Sequence, residues 1–165
     1  MPGRELNLTR RHNDTTQGHL PRQQVTRQML VEREQYLRTI LQTTADGFWV
    51  VDTDGKIVEV NDAYGRMSGY SRAELMQLSI AYLDADEAPD ETAARIQRII
   101  ANGSEVFEVR HRRKDGGIFD VEMSVTYLDT NGGQFVCFCR DISQRRTIET
   151  ALREGIKAQE EFVRE

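Results

Sequence analysis

The segment from Gly47 to Asn61 constrains the fold more than any other part of this 165-residue chain. It consists of two short apolar runs on either side of the pair Asp54-Gly55. Asp-Gly between β-forming runs is a strong hairpin signal, because a type I′ turn requires positive φ at both central residues. The segment therefore predicts two antiparallel strands joined by a tight turn, after which Asn61 caps a short helix.

Short helices with recognisable start and stop signals follow this hairpin. Gly69 ends the first of them, and the capping box Ser71–Glu74 opens the next. A longer helix is predicted from Pro89 to Asn102, since proline suits a first helical turn and Gly103 stops the helix.

Three further strands are predicted at about 105–113, 118–127 and 134–141, separated by glycine-containing turns. The runs Phe48–Val51 and Phe135–Cys139 are apolar at every position. Such runs are typical of strands that are covered on both faces. We therefore expect the short helices on one face of the sheet and the helix before Thr44 on the other.

Two more motifs complete a pattern that resembles a known family. Arg112–Gly116 closes the second hairpin, and Arg140–Ser143 joins the last strand to a helix. Together with Gly47–Asn61, these residues resemble the PAS sensor family over about 43–147. The resemblance implies an α+β PAS fold, in which a five-stranded antiparallel sheet of order 2-1-5-4-3 carries short helices on one face and is flanked by N- and C-terminal helices.

The chain divides into four segments. Residues 1–21 are polar and without periodicity, which predicts a flexible tail. Residues 22–44 contain no Gly or Pro and place apolar pairs near heptad spacing, which predicts an amphipathic helix that packs on its own domain, pairs between subunits, or does both along different parts. Residues 45–142 form the expected PAS core, and residues 143–165 form a C-terminal signalling helix.

PAS folds hold ligands in a cavity between the concave sheet face and the short helices. The resemblance implies that the following side chains of the first hairpin and first helix point into it: Trp49, Val51, Val58, Val60, Tyr64, Met67 and Ser68. Two-residue alternation along the later strands adds Phe107, Val109, His111, Val121, Met123, Cys137 and Cys139. On this pattern Ile57, Val136 and Phe138 face the N-terminal helix.

Each candidate also has a structural explanation. Trp49 either fills the core or stacks on an aromatic ligand. His111 beside Tyr64 either reads pH or binds a ligand, or is a satisfied structural histidine, which we favour. Cys137 and Cys139 share a strand face without the His or Cys spacing of a metal site, so we predict small core residues and no metal.

The cofactor classes of the family can be compared with this sequence. Haem-binding members carry a histidine on the long helix before the third strand, and residues 88–102 contain none. Light-sensing flavin members carry a cysteine in a motif after the capped helix, and residues 75–83 contain none. The cofactor is therefore unknown, and a non-covalent flavin or a small organic ligand stays open.

Asp141-Ile142-Ser143 resembles the motif that joins PAS cores to output helices, with Ser in place of Thr. We expect Ser143 to cap the last helix and Asp141 to anchor the strand end. The resemblance implies a homodimer through the terminal helices and an output domain such as a histidine kinase or diguanylate cyclase. The alternative is a ligand-free module for protein–protein interaction and dimerisation.

Charge and composition disfavour other functions. The net charge of −5 argues against nucleic acid, and we expect the basic run 110–114 to pair with Glu105, Glu108, Asp120 and Glu122 on the same or next strand. The apolar runs are too short to span a bilayer, and two cysteines suit a reducing cytoplasm. No catalytic motif stands out, so we predict a bacterial, non-enzymatic sensor module.

Overall fold

The computed structural model describes residues 22–86 and 88–164, so the predicted tail lies outside the described residues. Its helices and strands are, in chain order, α1 (Arg22–Thr43), β1 (Gly47–Asp52), β2 (Ile57–Val60), α2 (Asp62–Ser68), α3 (Arg72–Leu75), α4 (Ile80–Leu83), α5 (Pro89–Asn102), β3 (Ser104–Arg112), β4 (Ile118–Leu128), β5 (Gln134–Asp141) and α6 (Ser143–Arg164).

The chain forms two compact units, of which the first ends at Leu37. In its described part the first unit is helical, and no residue of α1 is buried. The second unit begins at Arg38 and contains the whole sheet. Within the described residues, no helix combines the length and the apolar character that a bilayer crossing requires.

The five strands form one antiparallel sheet in the order β2-β1-β5-β4-β3. This order confirms the predicted fold class. The buried side chains of the sheet form one hydrophobic cluster with Leu75 of α3, Leu83 of α4 and Ile99 of α5. The short helices and α5 therefore cover one face of the sheet.

The turn of the first hairpin differs from the predicted type I′ turn. Among the described residues only Asn131 and six glycines have positive φ, so Thr53 and Asp54 do not. The Gly55 N–H donates to the Asp52 carbonyl at 3.1 Å, and Gly55 has a left-handed φ of 79°. This is the pattern of a type I turn followed by a glycine bulge, which needs positive φ at the glycine alone.

A bulge in the first hairpin overturns the predicted direction of two side chains. Val50 pairs with Glu59 and Val51 with Ile57, which leaves Val58 without a partner on β1. Ile57 is consequently fully buried in the core, while Val58 is 36% exposed. The predictions that Val58 points into the cavity and Ile57 faces the N-terminal helix are therefore wrong, because a bulge inserts one residue into the two-residue alternation.

Asn61 fixes the junction between the hairpin and α2. Its Oδ1 accepts from the Phe48 N–H at 2.8 Å and from the Tyr64 N–H at 3.1 Å, which is the predicted helix cap. Its Nδ2 donates to the carbonyls of Leu41 at 2.7 Å and Asp46 at 3.1 Å. This buried amide thus joins the end of α1, β1 and α2.

Two further helix signals, at Gly69 and at Ser71, also act as predicted. Gly69 ends α2 in the left-handed conformation, with φ of 79°. Ser71 and Glu74 form both hydrogen bonds of a capping box at the start of α3.

On the outer face of the sheet Phe138 packs on Phe48, with ring centroids 5.3 Å apart, and remains 39% exposed.

Candidate functional site

A cavity of about 90 Å³ lies between the sheet, the β1–β2 turn, α4 and α5. The strands contribute Trp49, Val51, Phe107, Val109, His111, Met123, Val125, Phe135 and Cys137. The turn and helices contribute Asp52, Thr53, Gly55, Ile80, Ala81, Asp84, Thr92, Arg95, Ile96 and Ile99. Thr53 and Ala81 are the solvent-exposed members of this lining.

Three rings meet across the concave face of the sheet. Trp49 lies 4.3 Å from Tyr64 and 5.5 Å from His111, measured between ring centroids. β1 and β3 are three strand spacings apart, about 14 Å in a flat sheet. The sheet must therefore curve around these rings, and the Tyr64 hydroxyl joins the cluster through a 3.1 Å hydrogen bond with His111 Nδ1.

Burial keeps four titratable side chains on the concave side of the sheet neutral: His111, Tyr64, Cys137 and Cys139. Desolvation lowers the pKa of His111 to about 4, although the nearby Asp84 carboxylate opposes the shift. Desolvation also raises the pKa of Tyr64 and that of Cys139, and it raises the pKa of Cys137 to about 12. At neutral pH the cavity lining thus presents the uncharged imidazole of His111 and the thiol of Cys137, and the Tyr64 phenol and Cys139 thiol, which lie outside the lining, are uncharged as well.

The buried Trp49 Nε1 has no hydrogen-bond partner among the described residues. Cys137 lies opposite it on β5, and the interaction with the indole N–H slightly counteracts the rise in the Cys137 pKa. A thiol sulfur is only a weak acceptor, so we regard this N–H as unsatisfied. In the described part of the chain, no three His, Cys, Asp or Glu side chains are grouped so as to hold a metal ion.

The basic run after β3 is neutralised by carboxylates. Arg110 binds Asp86 through two hydrogen bonds, Arg113 Nη2 lies 3.2 Å from Asp141, and Lys114 Nζ lies 2.7 Å from Glu74. These ion-pair partners are not the acids that we predicted. Asp120, one of the predicted acids, nevertheless lies opposite Arg110 on β4, and its charge adds to the rise that Asp86 causes in the pKa of Arg110. The described pairs of those acids use arginines elsewhere: Arg98 with Glu105, Arg145 and Arg146 with Glu108, Arg146 with Asp120, and Arg140 and Arg145 with Glu122.

The match to a family model decides what kind of domain this is. The model described as the PAS fold matches residues 35–142, which is most of the chain and includes the whole cavity lining. This chain belongs to the PAS family. A PAS domain is a sensory module.

Two curated relatives place the domain among signalling proteins. A methyl sulfide methyltransferase-associated sensor of Methanosarcina acetivorans is 29% identical over 126 residues, which cover 75% of this chain and 13% of the relative. The cell-division control histidine kinase PdhS of Brucella anthropi is 28% identical over 139 residues, which cover 81% of this chain and 13% of the relative. The chain thus spans about an eighth of the length of either relative.

Solved PAS domains share the fold. The PAS domain of an HTR-like protein from Haloarcula marismortui has a TM-score of 0.65 and 25% sequence identity. The alignment covers 72% of this chain and 99% of that domain. The similarity extends through almost all of the solved domain, so the elements around the cavity belong to the common PAS architecture.

The predicted site residues fall into three groups in this PAS domain. Those that line the cavity are Trp49, Val51, Phe107, Val109, His111, Met123 and Cys137. Those that are buried or partly buried outside its lining are Val60, Tyr64, Met67, Ser68, Val121 and Cys139. Val58 is exposed, as described above. A role in ligand binding stays a prediction for every residue of the first group.

Sequence reasoning missed 12 of the 19 residues that line the cavity. The alternation that predicted Met123 and Cys137 also applies to Val125 and Phe135, so these two residues had a signal. Ile96 and Ile99 are three residues apart on α5 and therefore share one face of the helix, so they also had a signal. The polar members Asp84 and Arg95 had no signal, because their position depends on how α4 and α5 pack on the sheet.

The start of α6 is bound to β4 rather than capped as predicted. Ser143 Oγ accepts from the backbone N–H of Asp120 at 3.1 Å, and the Ile142 N–H donates to the Asp120 carbonyl at 2.9 Å. The N–H of Ser143 itself donates to Asp141 Oδ1 at 2.9 Å. Asp141 therefore supplies the acceptor at the helix start that we expected from Ser143, while its other oxygen holds Arg113.

The size of the cavity does not suit a flavin or another large cofactor. Pockets for drug-sized ligands have volumes of about 300–1,000 Å³. The cavity of about 90 Å³ lies well below this range, because Trp49, Tyr64 and His111 fill much of the concave side. The residues present therefore do not fit a flavin in this arrangement.

Proposed function

We propose that this PAS domain is the sensory input segment of a longer signalling protein. In this proposal a small molecule in the cavity changes the position of α6, and α6 passes the change to an output domain. The similarity to a histidine kinase supports a kinase output. A diguanylate cyclase would receive the same change through the same helix.

The observation that carries the proposal is the double role of β3. Phe107 and Val109 line the cavity, and Glu108 between them points to the opposite side of the strand. Glu108 accepts from Arg145 Nη2 at 2.9 Å and also pairs with Arg146. A displacement of β3 by a ligand would therefore move the carboxylate that holds the first turn of α6.

β4 offers a second connection of the same kind. Asp120 binds α6 through the Ser143 hydroxyl, through the Ile142 N–H and through Arg146 Nη1 at 3.0 Å. Its neighbours Phe119 and Val121 belong to the buried core cluster. Two strands that line the cavity, β3 and β4, thus both bind the start of α6. These contacts support α6 as the route of the signal.

The connection can be tested in a fusion of residues 1–165, through α6, to the catalytic region of a histidine kinase. We expect Glu108→Gln to change autophosphorylation by up to about fivefold, since an exposed ion pair contributes about 0.2–1 kcal/mol to the balance between states. The matched control is Glu59→Gln. Glu59 lies on β2, the other edge strand of the sheet, and this variant removes its exposed ion pair with Arg72. Equal activity of both variants and the parent would contradict the proposal.

A ligand-free interaction module is the second candidate. It is favoured by the aromatic side chains that already fill much of the concave side, because such a core needs no ligand for its stability. An absorbance spectrum and a native mass spectrum of the purified protein separate the two candidates. A bound small molecule supports sensing, while an empty protein that also fails to take up small probes supports the interaction module.

A further inference from the structure

The unsatisfied indole of Trp49 indicates what the cavity can bind. Trp49 is 2% exposed and lines the cavity, and its Nε1–H has no partner among the described residues. A buried donor without an acceptor destabilises the folded state. A ligand oxygen within reach would remove this cost, whereas the weakly accepting Cys137 sulfur beside it does so only in part.

The volume limits the ligand to a small molecule. Water occupies about 30 Å³ per molecule in the liquid, so the cavity of about 90 Å³ has the space of about three waters. An apolar cavity of about 150 Å³ is known to bind benzene. The cavity of this chain is therefore matched to a short aliphatic molecule rather than to a ring system.

Charge disfavours an anion in the cavity, and the need for an acceptor atom disfavours an ammonium ion. The lining includes two carboxylates, Asp52 and Asp84, against one guanidinium, Arg95, and His111 is neutral at pH 7. Arg95 is already placed over the Phe107 ring, 3.9 Å from its centroid. An anion would meet the carboxylates, and an ammonium ion has no lone pair to accept the Trp49 N–H.

We infer that the cavity takes a small uncharged organic molecule whose oxygen accepts a hydrogen bond from Trp49 Nε1. This inference rests on the proposed ligand role of the cavity. The apolar part of the molecule would contact apolar members of the lining such as Val125, Phe135 and Ile99. A ketone, an ester or an ether of short chain length has the required chemistry.

Trp49 is the only tryptophan of the chain, so its indole gives a single resonance in a proton–nitrogen NMR correlation spectrum. The folded protein is titrated with four molecules of five non-hydrogen atoms each: methyl ethyl ketone, the hydrocarbon in which a methylene group replaces the ketone oxygen, propionate and butylammonium. We expect a saturable downfield shift of the indole proton with the ketone. The hydrocarbon should give no downfield shift, and the two ions should not bind.

Trp49→Phe separates the hydrogen bond from the apolar contacts, because it keeps an aromatic ring and removes the N–H. Ligand-observed NMR of both proteins should show the ketone bound about fivefold to tenfold more weakly by the variant. The hydrocarbon should bind the variant at least as well, since the smaller ring leaves more space. If the variant does not fold, the titration of the unaltered protein still decides the question.

The outcomes separate this inference from the proposed function. Tighter binding of propionate or butylammonium than of the ketone would overturn the inference and leave a ligand-binding cavity. Equal weakening of ketone and hydrocarbon by Trp49→Phe would also overturn it, because the N–H would then contribute nothing specific. If none of the four molecules perturbs the indole resonance, the inference falls, and the native mass spectrum of the purified protein decides the ligand role of the cavity separately.

Discussion

A single buried imidazole makes the stability of this PAS domain depend on pH. His111 has a pKa of about 4 in the folded state against an ordinary value of 6.5. Between these values the unfolded chain binds a proton that the folded chain does not. The contribution of the neutral imidazole to the free energy of unfolding is therefore fully present above pH 6.5. It is lost as the pH decreases to about 4, which lowers the free energy of unfolding by about 3 kcal/mol in total.

His111→Asn should remove this pH dependence. The amide oxygen can still accept from the Tyr64 hydroxyl, but the side chain no longer titrates. We expect the stability difference between about pH 7 and about pH 4 to be smaller in the variant by about 3 kcal/mol. Urea denaturation across this pH range measures the difference. If the free energy of unfolding changed equally with pH in the two proteins, the imidazole would be charged in the folded state within this range.

Asn61 shows how much one amide can contribute where its four hydrogen bonds are all made. Asn61→Asp keeps the helix cap but turns a carboxylate oxygen toward the carbonyls of Leu41 and Asp46. We expect the free energy of unfolding to fall by about 3 kcal/mol, because a buried charge then faces two acceptors. Urea denaturation at neutral pH should show no comparable loss for the control Asp62→Asn, whose side chain is exposed. Equal losses would contradict this account.

Single residues also mark the limit of what the sequence can predict. The cap at Asn61 and the capping box at Ser71 were readable because they depend on neighbours in the chain. The exchange of Ile57 and Val58 was not, because a bulge depends on how β1 and β2 pair. The same holds for Ser143, whose hydroxyl binds a distant strand instead of its own helix.

At the scale of elements, Asp141 connects the end of β5, the start of α6 and the turn after β3. Burial raises the pKa of this carboxyl. Hydrogen bonds from Ser143 and Arg113 together lower the pKa by more than burial raises it, so the net shift is downward. Its contribution to stability is therefore present at neutral pH and is lost as the pH falls through the folded-state pKa, below the ordinary value of 3.8.

Two variants separate the roles of Asp141. Asp141→Asn keeps an acceptor for the Ser143 N–H and loses the charge opposite Arg113, while Asp141→Ala loses both. Amide hydrogen exchange in the first turn of α6 should therefore be fastest in the alanine variant, by about fivefold over the asparagine variant for a cap of about 1 kcal/mol. Equal exchange in the two variants would show that the charge pair alone holds the turn.

Most elements of the fold could be predicted, whereas the cavity could be predicted only from its sheet side. Strand runs, turns and helix caps are local signals, and they gave the five strands, α2, α3 and α5. The contribution of α4 and α5 to the cavity depends on tertiary packing, and so does the pairing of Arg110 with Asp86. The two-residue alternation of side chains along a strand predicts neither the packing of these helices nor this ion pair.

At the scale of the whole molecule, α6 leaves an apolar stripe without a cover in the described chain. Ile148, Leu152, Ile156 and Val163 recur at intervals of four or seven residues and are between 52% and 77% exposed. Such spacing is typical of helices that pair in a coiled coil. The stripe supports the homodimer that the sequence resemblance implies, and we propose that two α6 helices lie side by side in it and change their relative position when the cavity is occupied.

Replacing two residues of this stripe should weaken the dimer while leaving the domain folded. Leu152→Gln combined with Ile156→Gln removes apolar area from the stripe, and we expect the dimer dissociation constant to rise at least tenfold, since burying one such side chain contributes about 1.5–3 kcal/mol. Glu154→Gln with Glu161→Gln is the matched control, because it introduces the same side chains on the opposite side of α6. Sedimentation equilibrium measures both. A dimer of unchanged strength in the first variant would assign subunit contact to another surface and would leave α6 to act on the output domain as a single helix.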